Sequence, residues 1–151
     1  MIKKFIKNLF IDPALKSDIK SLKDIALFQG LNDRALAKIA LIVFKKTYSA
    51  GEEIYKPGHE ANAVYIINAG EVKITNGESD RVLDSGDFFG EISLLENKRH
   101  DSSAKAVKNC EIYMIYRSKF NELTESDLKI GFKIMKNLSG IFATRLKCTE
   151  M

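Results

Sequence analysis

The spacing of apolar residues divides the chain into three stretches. Up to about residue 45, apolar residues recur every three or four positions, as on one face of a helix. Between residues 46 and 116, short apolar runs alternate with glycines and turn residues, which is typical of strands in a roll, barrel or sandwich. Helical spacing returns after Arg117. The pattern therefore predicts short helices, then a β-roll, then a long C-terminal helix.

The N-terminal stretch predicts three short helices. Residues 2–10 place apolar side chains on one face and lysines on the other. Pro13 opens a second helix, because proline is accepted at a first helical position, and Gly30 ends it. Asn32 or Asp33 caps the third.

Six short runs with strand character follow, and the turn Asn76-Gly77 between two of them predicts a hairpin. The runs are Ile54-Tyr55, Val64–Ile67, Val72–Thr75, Arg81–Leu83, Ser103–Val107 and Glu111–Tyr116. Their short length and even spacing indicate an all-β roll, barrel or sandwich, and we expect an antiparallel roll of the jelly-roll type.

The C-terminal stretch predicts a short helical turn around Phe120 and a long helix capped by Thr124 or Ser126. The buried stripe of the long helix is expected at Leu128, Phe132, Met135, Leu138, Ile141, Phe142 and Leu146. We expect residues 1–18 to form a helical extension and residues 19–151 to form the main domain.

Composition narrows the class of protein. With 45% hydrophobic and 29% charged residues, the 151-residue chain matches an ordinary globular domain. A net charge of +4 is too small and scattered for a nucleic-acid footprint. No apolar run reaches the roughly 18 residues that a membrane span needs. Cys110 and Cys148 are far apart, so neither a zinc site nor a disulfide framework is indicated, and a cytoplasmic location is expected.

No residue pattern indicates catalysis. The chain has 2 histidines, lacks a P-loop pattern, and offers its serines no evident His/Asp partners. We therefore expect a non-enzymatic protein without a metal or a cofactor.

One segment indicates ligand binding. Gly90 precedes a short apolar turn, and such a glycine lets backbone N–H groups approach an anion. Glu91 adds an acceptor for a sugar hydroxyl, and Arg99 or His100 adds a cation for a phosphate. Together they would bind one ribose and one phosphate.

The same segment resembles a known family. GDFFGEISLL, at Gly86–Leu95, is similar to the phosphate-binding cassette of cyclic nucleotide-binding domains, which occur in catabolite activator proteins, kinase regulatory subunits and cyclic-nucleotide-gated channels. Further likeness at Ser49–Ile54 and Val64–Val72 extends the resemblance over roughly residues 20–148. It implies an eight-stranded antiparallel roll, a hinge helix near Phe120–Leu123 and a C-terminal lid helix that closes over the base.

The resemblance also implies roles for individual residues. Gly90 and Glu91 would meet the ribose 2′-hydroxyl, and the Ile92 and Ser93 amides would face the phosphate. The full candidate site is Phe89, Gly90, Glu91, Ile92, Ser93, Arg99, His100, Ser102 and Ser103.

The sequence departs from the family at the arginine that pairs with the cyclic phosphate. Counted without a gap, that position holds His100, and Asp101 follows it. Either the turn is one residue shorter and Arg99 serves, or the arginine is absent. An absent charge-assisted contact would weaken binding by about 1.5–3 kcal/mol, roughly 10- to 100-fold.

Two functions follow as predictions. The first is a stand-alone sensor that binds cAMP or cGMP and signals to a protein partner through its C-terminal helix. The alternative is a degenerate roll that binds no nucleotide and serves as an interaction or dimerisation module. The C-terminal helix is long enough to pair with a second copy. The basic N-terminal helix is expected to pack on protein rather than on a membrane.

Overall fold

The computed structural model describes residues 12–150, with side chains as far as Cys148. These residues belong to two compact units. One is Ile42–Phe120, and the other consists of the described parts of Met1–Leu41 and Asn121–Met151. The helix predicted for residues 2–10 lies outside the described residues, so the boundary at residue 18 stays a prediction.

Side-chain caps define the first helices. Helix α1 (Pro13–Lys23) begins after Asp12, whose Oδ1 accepts a hydrogen bond from the Ala14 amide at 2.9 Å. A 3₁₀ turn (Ala26–Phe28) and helix α2 (Asp33–Ile42) follow. Asn32 caps α2, because its Oδ1 accepts from the Ala35 amide at 2.9 Å. The helix predicted from Pro13 is confirmed only as far as Lys23, because the extended backbone of Ile25 separates it from the 3₁₀ turn before Gly30. The helix predicted after Asn32 is confirmed.

The cap of the long C-terminal helix differs from the prediction. Helix α3 (Arg117–Ser126) is longer than expected and contains both Thr124 and Ser126. Asp127 caps helix α4 (Leu128–Glu150) instead, with its Oδ1 accepting from the Ile130 amide at 3.3 Å. An aspartate satisfies an open helix N–H as well as a hydroxyl does, and it also suits the positive end of the helix dipole.

The buried stripe predicted for α4 is wrong at Leu128, Phe132 and Leu146, which are exposed. Leu138 is buried as predicted, and Met135, Ile141 and Phe142 are half-buried. The buried residues are Ile130, Ile134 and Leu138, whereas Leu128 and Phe132 are 76% and 70% exposed. The helix is apolar on two faces, so periodicity alone could not choose between them. Tertiary contacts choose: the Asn137 side-chain amide donates to the carbonyls of Leu27 and Gln29 at 3.0 and 2.9 Å, which turns the neighbouring face inward.

The second unit contains a β-roll of short antiparallel strands. Two four-stranded sheets have the orders β1-β10-β4-β7 and β2-β9-β5-β6, and β3-β8 forms a separate ribbon. The strands are β1 (Phe44–Tyr48), β2 (Glu53–Tyr55), β3 (Glu60–Ala61), β4 (Ala63–Ala69), β5 (Glu71–Thr75), β6 (Asp80–Asp84), β7 (Phe88–Phe89), β8 (Lys98–Arg99), β9 (Ser103–Ala106) and β10 (Cys110–Tyr116).

The antiparallel roll with flanking helices confirms the predicted fold class. All six predicted strands are present, and the β5–β6 hairpin turns at Asn76-Gly77 as expected. Strands β1, β3, β7 and β8 were not predicted, because three of them are two residues long and β1 is largely exposed.

The core of the roll draws on both four-stranded sheets. Tyr65 and Ile67 of β4 and Ile112 of β10 face Val72 and Ala104 from the other sheet within one buried cluster. Each fully buried aliphatic side chain stabilises the fold by about 1.5–3 kcal/mol relative to exposure. This core holds β4 in place. Because β7 pairs with β4, the core also positions Gly90, the residue that follows β7.

Candidate phosphate-binding turn

The backbone at Gly90 forms a sharp turn at the end of β7. Tyr65 of β4 pairs with Phe89 of β7, and the chain then enters the left-handed region at Gly90, with φ 76° and ψ 16°. A Cβ on this residue would lie 3.1 Å from the carbonyl oxygen of Ala63. Glycine is therefore favoured both by the conformation and by the close approach to β4.

A second 3₁₀ turn, Glu91–Leu94, follows at once. The Ser93 amide and hydroxyl both donate to the Gly90 carbonyl, at 3.1 and 2.6 Å. The Ile92 amide precedes this first internal bond, so the turn itself does not satisfy it. The Ser93 amide, predicted to face a phosphate, is engaged inside the turn.

The turn also buries a carboxylate. Glu91 is 6% exposed and Ser93 1% exposed, whereas Ile92 is 49% exposed. A buried ionisable group costs free energy unless hydrogen bonds and charges compensate it. The roll thus holds a buried carboxylate at the start of a tight turn, next to the Ile92 amide.

Arg117 holds the far end of the turn in place. Its Nη1 donates to the carbonyls of Ala61, Ser93 and Glu96, each at 3.1 Å. Its Nη2 donates to the Asn97 side chain at 3.3 Å. These bonds join the Arg117 side chain to β3 and to residues 93–97. Arg117 therefore holds the turn against the roll. Sequence reasoning missed this residue.

Aromatic rings form a packed layer behind the turn. Phe89 stacks on Tyr65 with ring centroids 5.0 Å apart, and Tyr55 lies 5.6 Å from Tyr65. Burial raises the pKa of the Tyr65 and Tyr55 phenols above their ordinary value. For Tyr55, a hydrogen bond with Ser102 opposes this rise and the Glu91 charge adds to it.

His100 completes this layer. Its ring stacks on Tyr55 with centroids 3.5 Å apart and planes 2° from parallel. Its Nε2 is buried without a hydrogen-bond partner among the described residues. Burial, and then the nearby His59, lower the pKa of His100, while Asp101 raises it. The imidazole is therefore kept neutral, with one ring nitrogen unsatisfied.

Arg99 has a different environment. It lies in β8 opposite Glu60 of β3, is exposed, and donates from Nη1 to the Gly58 carbonyl at 2.7 Å. The His100 carbonyl accepts from the Gly58 amide at 2.8 Å, which fixes the same ribbon. Which of Arg99 and His100 stands in the place of the family's arginine stays a prediction.

A further cation lies near this position. Arg81 of β6, together with Asp101, Ser102 and three other residues, lines a cavity of about 340 Å³. The Arg81 charge also lowers the pKa of Tyr55, whereas the charges of Glu91 and Asp101 raise it. Ser102 thus borders the cavity, while Ser103 begins β9 opposite Thr75. Sequence reasoning missed Arg81, because no local pattern in β6 shows that this side chain lies in one cavity with Asp101 and Ser102.

The described residues carry no other evident chemistry. They bring no three His, Cys, Asp or Glu side chains into an arrangement that could hold a metal ion. None of their helices has the length and apolarity needed to cross a bilayer.

A family model described as cyclic nucleotide-binding domain matches residues 45–127. This range contains every strand of the roll except Phe44, the first residue of β1, and it includes the turn at Gly90 and the 3₁₀ turn that follows it. The chain belongs to the cyclic nucleotide-binding domain family. The resemblance seen in the Gly86–Leu95 segment is thereby confirmed. The family is defined by ligand binding and not by catalysis.

Individual relatives agree with this assignment. The cGMP-dependent protein kinase egl-4 of Caenorhabditis elegans is 33% identical over 110 residues, covering 68% of this chain and 14% of the kinase. The cAMP-dependent protein kinase regulatory subunit of Candida albicans is 28% identical over 104 residues, covering 68% of this chain and 23% of that protein. The chain thus spans less than a quarter of either relative.

A solved structure gives the same result for the fold. The catabolite activator protein of Thermus thermophilus superposes with a TM-score of 0.72 at 27% identity, covering 83% of this chain and 60% of that one. The two antiparallel sheets and the long C-terminal helix are therefore features that this chain shares with a solved member of the family.

Proposed function

We propose that this chain is a regulatory sensor that binds a 3′,5′-cyclic nucleotide, cAMP or cGMP, and that it is not an enzyme. The observation that carries the proposal is the buried Glu91 carboxylate at the start of the turn that follows Gly90, next to the Ile92 amide. A carboxylate accepts from a ribose hydroxyl, and amides at the start of a turn attract a phosphate. A cyclic nucleotide joins these two groups at a short, fixed separation.

In this proposal two residues share the role of the family's arginine. Counted without a gap, His100 takes the matching position with an unsatisfied ring nitrogen, and Arg81 supplies a permanent positive charge from the adjacent cavity. Asp101 lines the same cavity and offsets part of that charge. We therefore expect binding that is retained but weaker than an arginine at position 100 would give.

The output of the sensor is proposed to be a change in the C-terminal helix. A ligand shifts a conformational equilibrium only by binding one state better than the other. Extra contacts in a lid-closed state would meet that requirement and would change what α4 presents to a protein partner.

The free thiols of Cys110 and Cys148 fit a reducing compartment such as the cytoplasm.

A second function is favoured by specific contacts. Arg99 donates a hydrogen bond to the Gly58 carbonyl, and the Ser93 amide donates to the Gly90 carbonyl within the turn. The carboxylate of Asp101 lies close to the position expected for the phosphate. All three would fit a degenerate roll that has lost its ligand and acts as an interaction module. The buried Glu91 favours the sensor.

Calorimetric titration with cAMP and with cGMP distinguishes the two functions. We expect saturable binding by the unaltered chain, weakened about 10- to 100-fold in Glu91→Gln. Glu96→Gln is the matched control, because Glu96 is exposed five residues further along the same segment, and it should bind normally. Absence of heat with both nucleotides, together with an unchanged melting temperature, would favour the degenerate module.

The origin of the phosphate cation is tested separately. Arg81→Gln should weaken nucleotide binding by roughly tenfold, since a charge-assisted contact is lost. Arg99→Gln should leave the affinity within about twofold, because its guanidinium is bonded to the ribbon. The reverse order of effects would place the phosphate beside Arg99.

A further inference from the structure

Helix α4 exposes apolar residues that its own unit does not cover. Leu128 and Phe132 are 76% and 70% exposed, and Met135 is half-buried one turn further on. The spacing of four and then three residues places them on one face of the helix. Exposed apolar residues scattered singly need no explanation, but a contiguous patch marks a binding surface.

This face borders a concave surface, here called the apolar groove. It is lined by Leu128, Phe132 and Met135 of α4, by Gly131, and by Thr124 and Glu125 of α3, and it encloses about 450 Å³. At Gly131 the two helices approach closely, since a Cβ there would lie 2.9 Å from the Thr124 Cβ. A groove of this shape accepts a row of apolar side chains from a partner helix.

A second cavity in the same unit, here called the basic cavity, also encloses about 450 Å³. Four cationic residues line it against one carboxylate, Asp127, which binds Lys38 at 2.9 Å. The cationic residues are Arg34, Lys38, Lys129 and Lys133. The cavity therefore has an excess of positive charge.

Helix geometry places the two surfaces side by side. Lys129, Lys133 and Lys136 each follow the apolar positions Leu128, Phe132 and Met135 by one residue, a rotation of about 100° around the helix axis. Along the N-terminal half of α4, an apolar strip thus runs parallel to a basic strip, and the opposite side holds the buried Ile130 and Ile134.

We propose that these two strips form a docking site for an acidic amphipathic helix of a partner protein. Its apolar face would fill the groove, and its carboxylates would lie over the lysines and the basic cavity. The proposal goes beyond nucleotide binding and does not depend on it. Charge complementarity selects the occupant, because oppositely charged surfaces favour association and like charges oppose it.

The same charges count against the other occupants. A second copy would bring its own Lys129 and Lys136 against this basic strip. The N-terminal residues 2–10 are also basic, with three lysines and no acidic residue. An anionic membrane would match the charge, but a planar surface does not fill two concave sites.

The test uses a designed, fluorescently labelled helical peptide with leucines on one face and glutamates beside them, and a twin in which every glutamate is lysine. We expect the full chain to bind the acidic peptide at least about tenfold more tightly than its twin. Phe132→Ser should abolish binding. Leu146→Ser, an exposed apolar position on the same helix outside the groove, should bind normally. The double variant Lys129→Glu and Lys136→Glu should prefer the lysine peptide.

Three results would overturn the proposal. Equal binding of the two peptides would remove the charge argument. A dimer in sedimentation that Phe132→Ser converts to monomer would assign the groove to a second copy. Binding to phosphatidylserine vesicles that is lost in Phe132→Ser would assign it to a membrane. Because Phe132 is 70% exposed, an unchanged melting temperature should show that this variant folds.

Discussion

At the residue scale, the turn depends on the backbone conformation of Gly90. Gly90 and Gly86 both have positive φ, of 76° and 93°, but only Gly90 has neighbours where a Cβ would lie. Gly86→Ala should therefore cost about 1 kcal/mol of unfolding free energy, for the left-handed conformation alone. Gly90→Ala should cost about 2–3 kcal/mol, because the Ala63 carbonyl must also move.

Urea denaturation of the two variants measures this difference. Equal losses of unfolding free energy would mean that β4 yields to the new methyl group and that the close approach is not a constraint. A larger loss for Gly86→Ala would contradict the account of the turn.

His100 makes a pH-dependent prediction at the same scale. Its pKa is lowered in the ligand-free fold, mainly by burial. A lowered pKa means that the unfolded chain binds more protons, so this residue costs stability as pH falls below about 6.5. A bound phosphate would favour the imidazolium, so nucleotide affinity should instead rise as pH falls.

Affinity for cAMP or cGMP should thus increase roughly three- to tenfold between about pH 8 and pH 6. His100→Gln should flatten this dependence. His59→Gln is the control, since His59 lies near His100 but its Nδ1 accepts from the Lys56 amide. A pH dependence that survives in His100→Gln would exclude His100 as the titrating contact.

At the scale of the elements, α4 offers a matched pair of glycines. A Cβ on Gly131 would lie 2.9 Å from the Thr124 Cβ, whereas nothing lies within 4 Å of one on Gly140. Gly140→Ala should stabilise the protein by about 0.5–1 kcal/mol, the gain in helix propensity. Gly131→Ala should lose that gain and more, because α3 must move. Thermal denaturation of both variants checks the order, and a stabilising Gly131→Ala would contradict the packing at the α3–α4 corner.

For the same helix, the sequence predicts the secondary structure but not the buried face. Its helical character followed from local spacing, but which of two apolar faces is buried did not. Leu128 and Phe132 fit a 3.6-residue period as well as Ile130 and Ile134 do. The choice rests on distant partners, such as the Leu27 and Gln29 carbonyls that Asn137 binds, and those are invisible to a single helix.

At the scale of the whole molecule, local motifs were predictable and long-range pairings were not. The Gly90-Glu91 turn could be recognised from consecutive residues, and so could the glycine-bounded strands. Arg81 reaches the site because β6 pairs with β5, and Arg117, the first residue of α3, reaches it because the preceding strand β10 pairs with β4. No local pattern marks either residue, although both bear on the chemistry of the turn.

The exposed surface of α4 also belongs to this scale. A sensor whose output is a helix needs a surface that a partner can recognise, and the apolar and basic strips would provide one. Nucleotide binding and peptide docking can be measured independently, so a coupling between them would appear as a change in peptide affinity on adding nucleotide.

The central claim is that the turn at Gly90 holds a cyclic nucleotide although the family's arginine is absent. The most direct test is to record amide NMR spectra of the ¹⁵N-labelled chain while cAMP or cGMP is added. We expect saturable shifts of the Gly90, Glu91 and Ile92 amides that disappear in Glu91→Gln. Spectra unchanged by either nucleotide, or shifts confined to residues away from the roll, would contradict it.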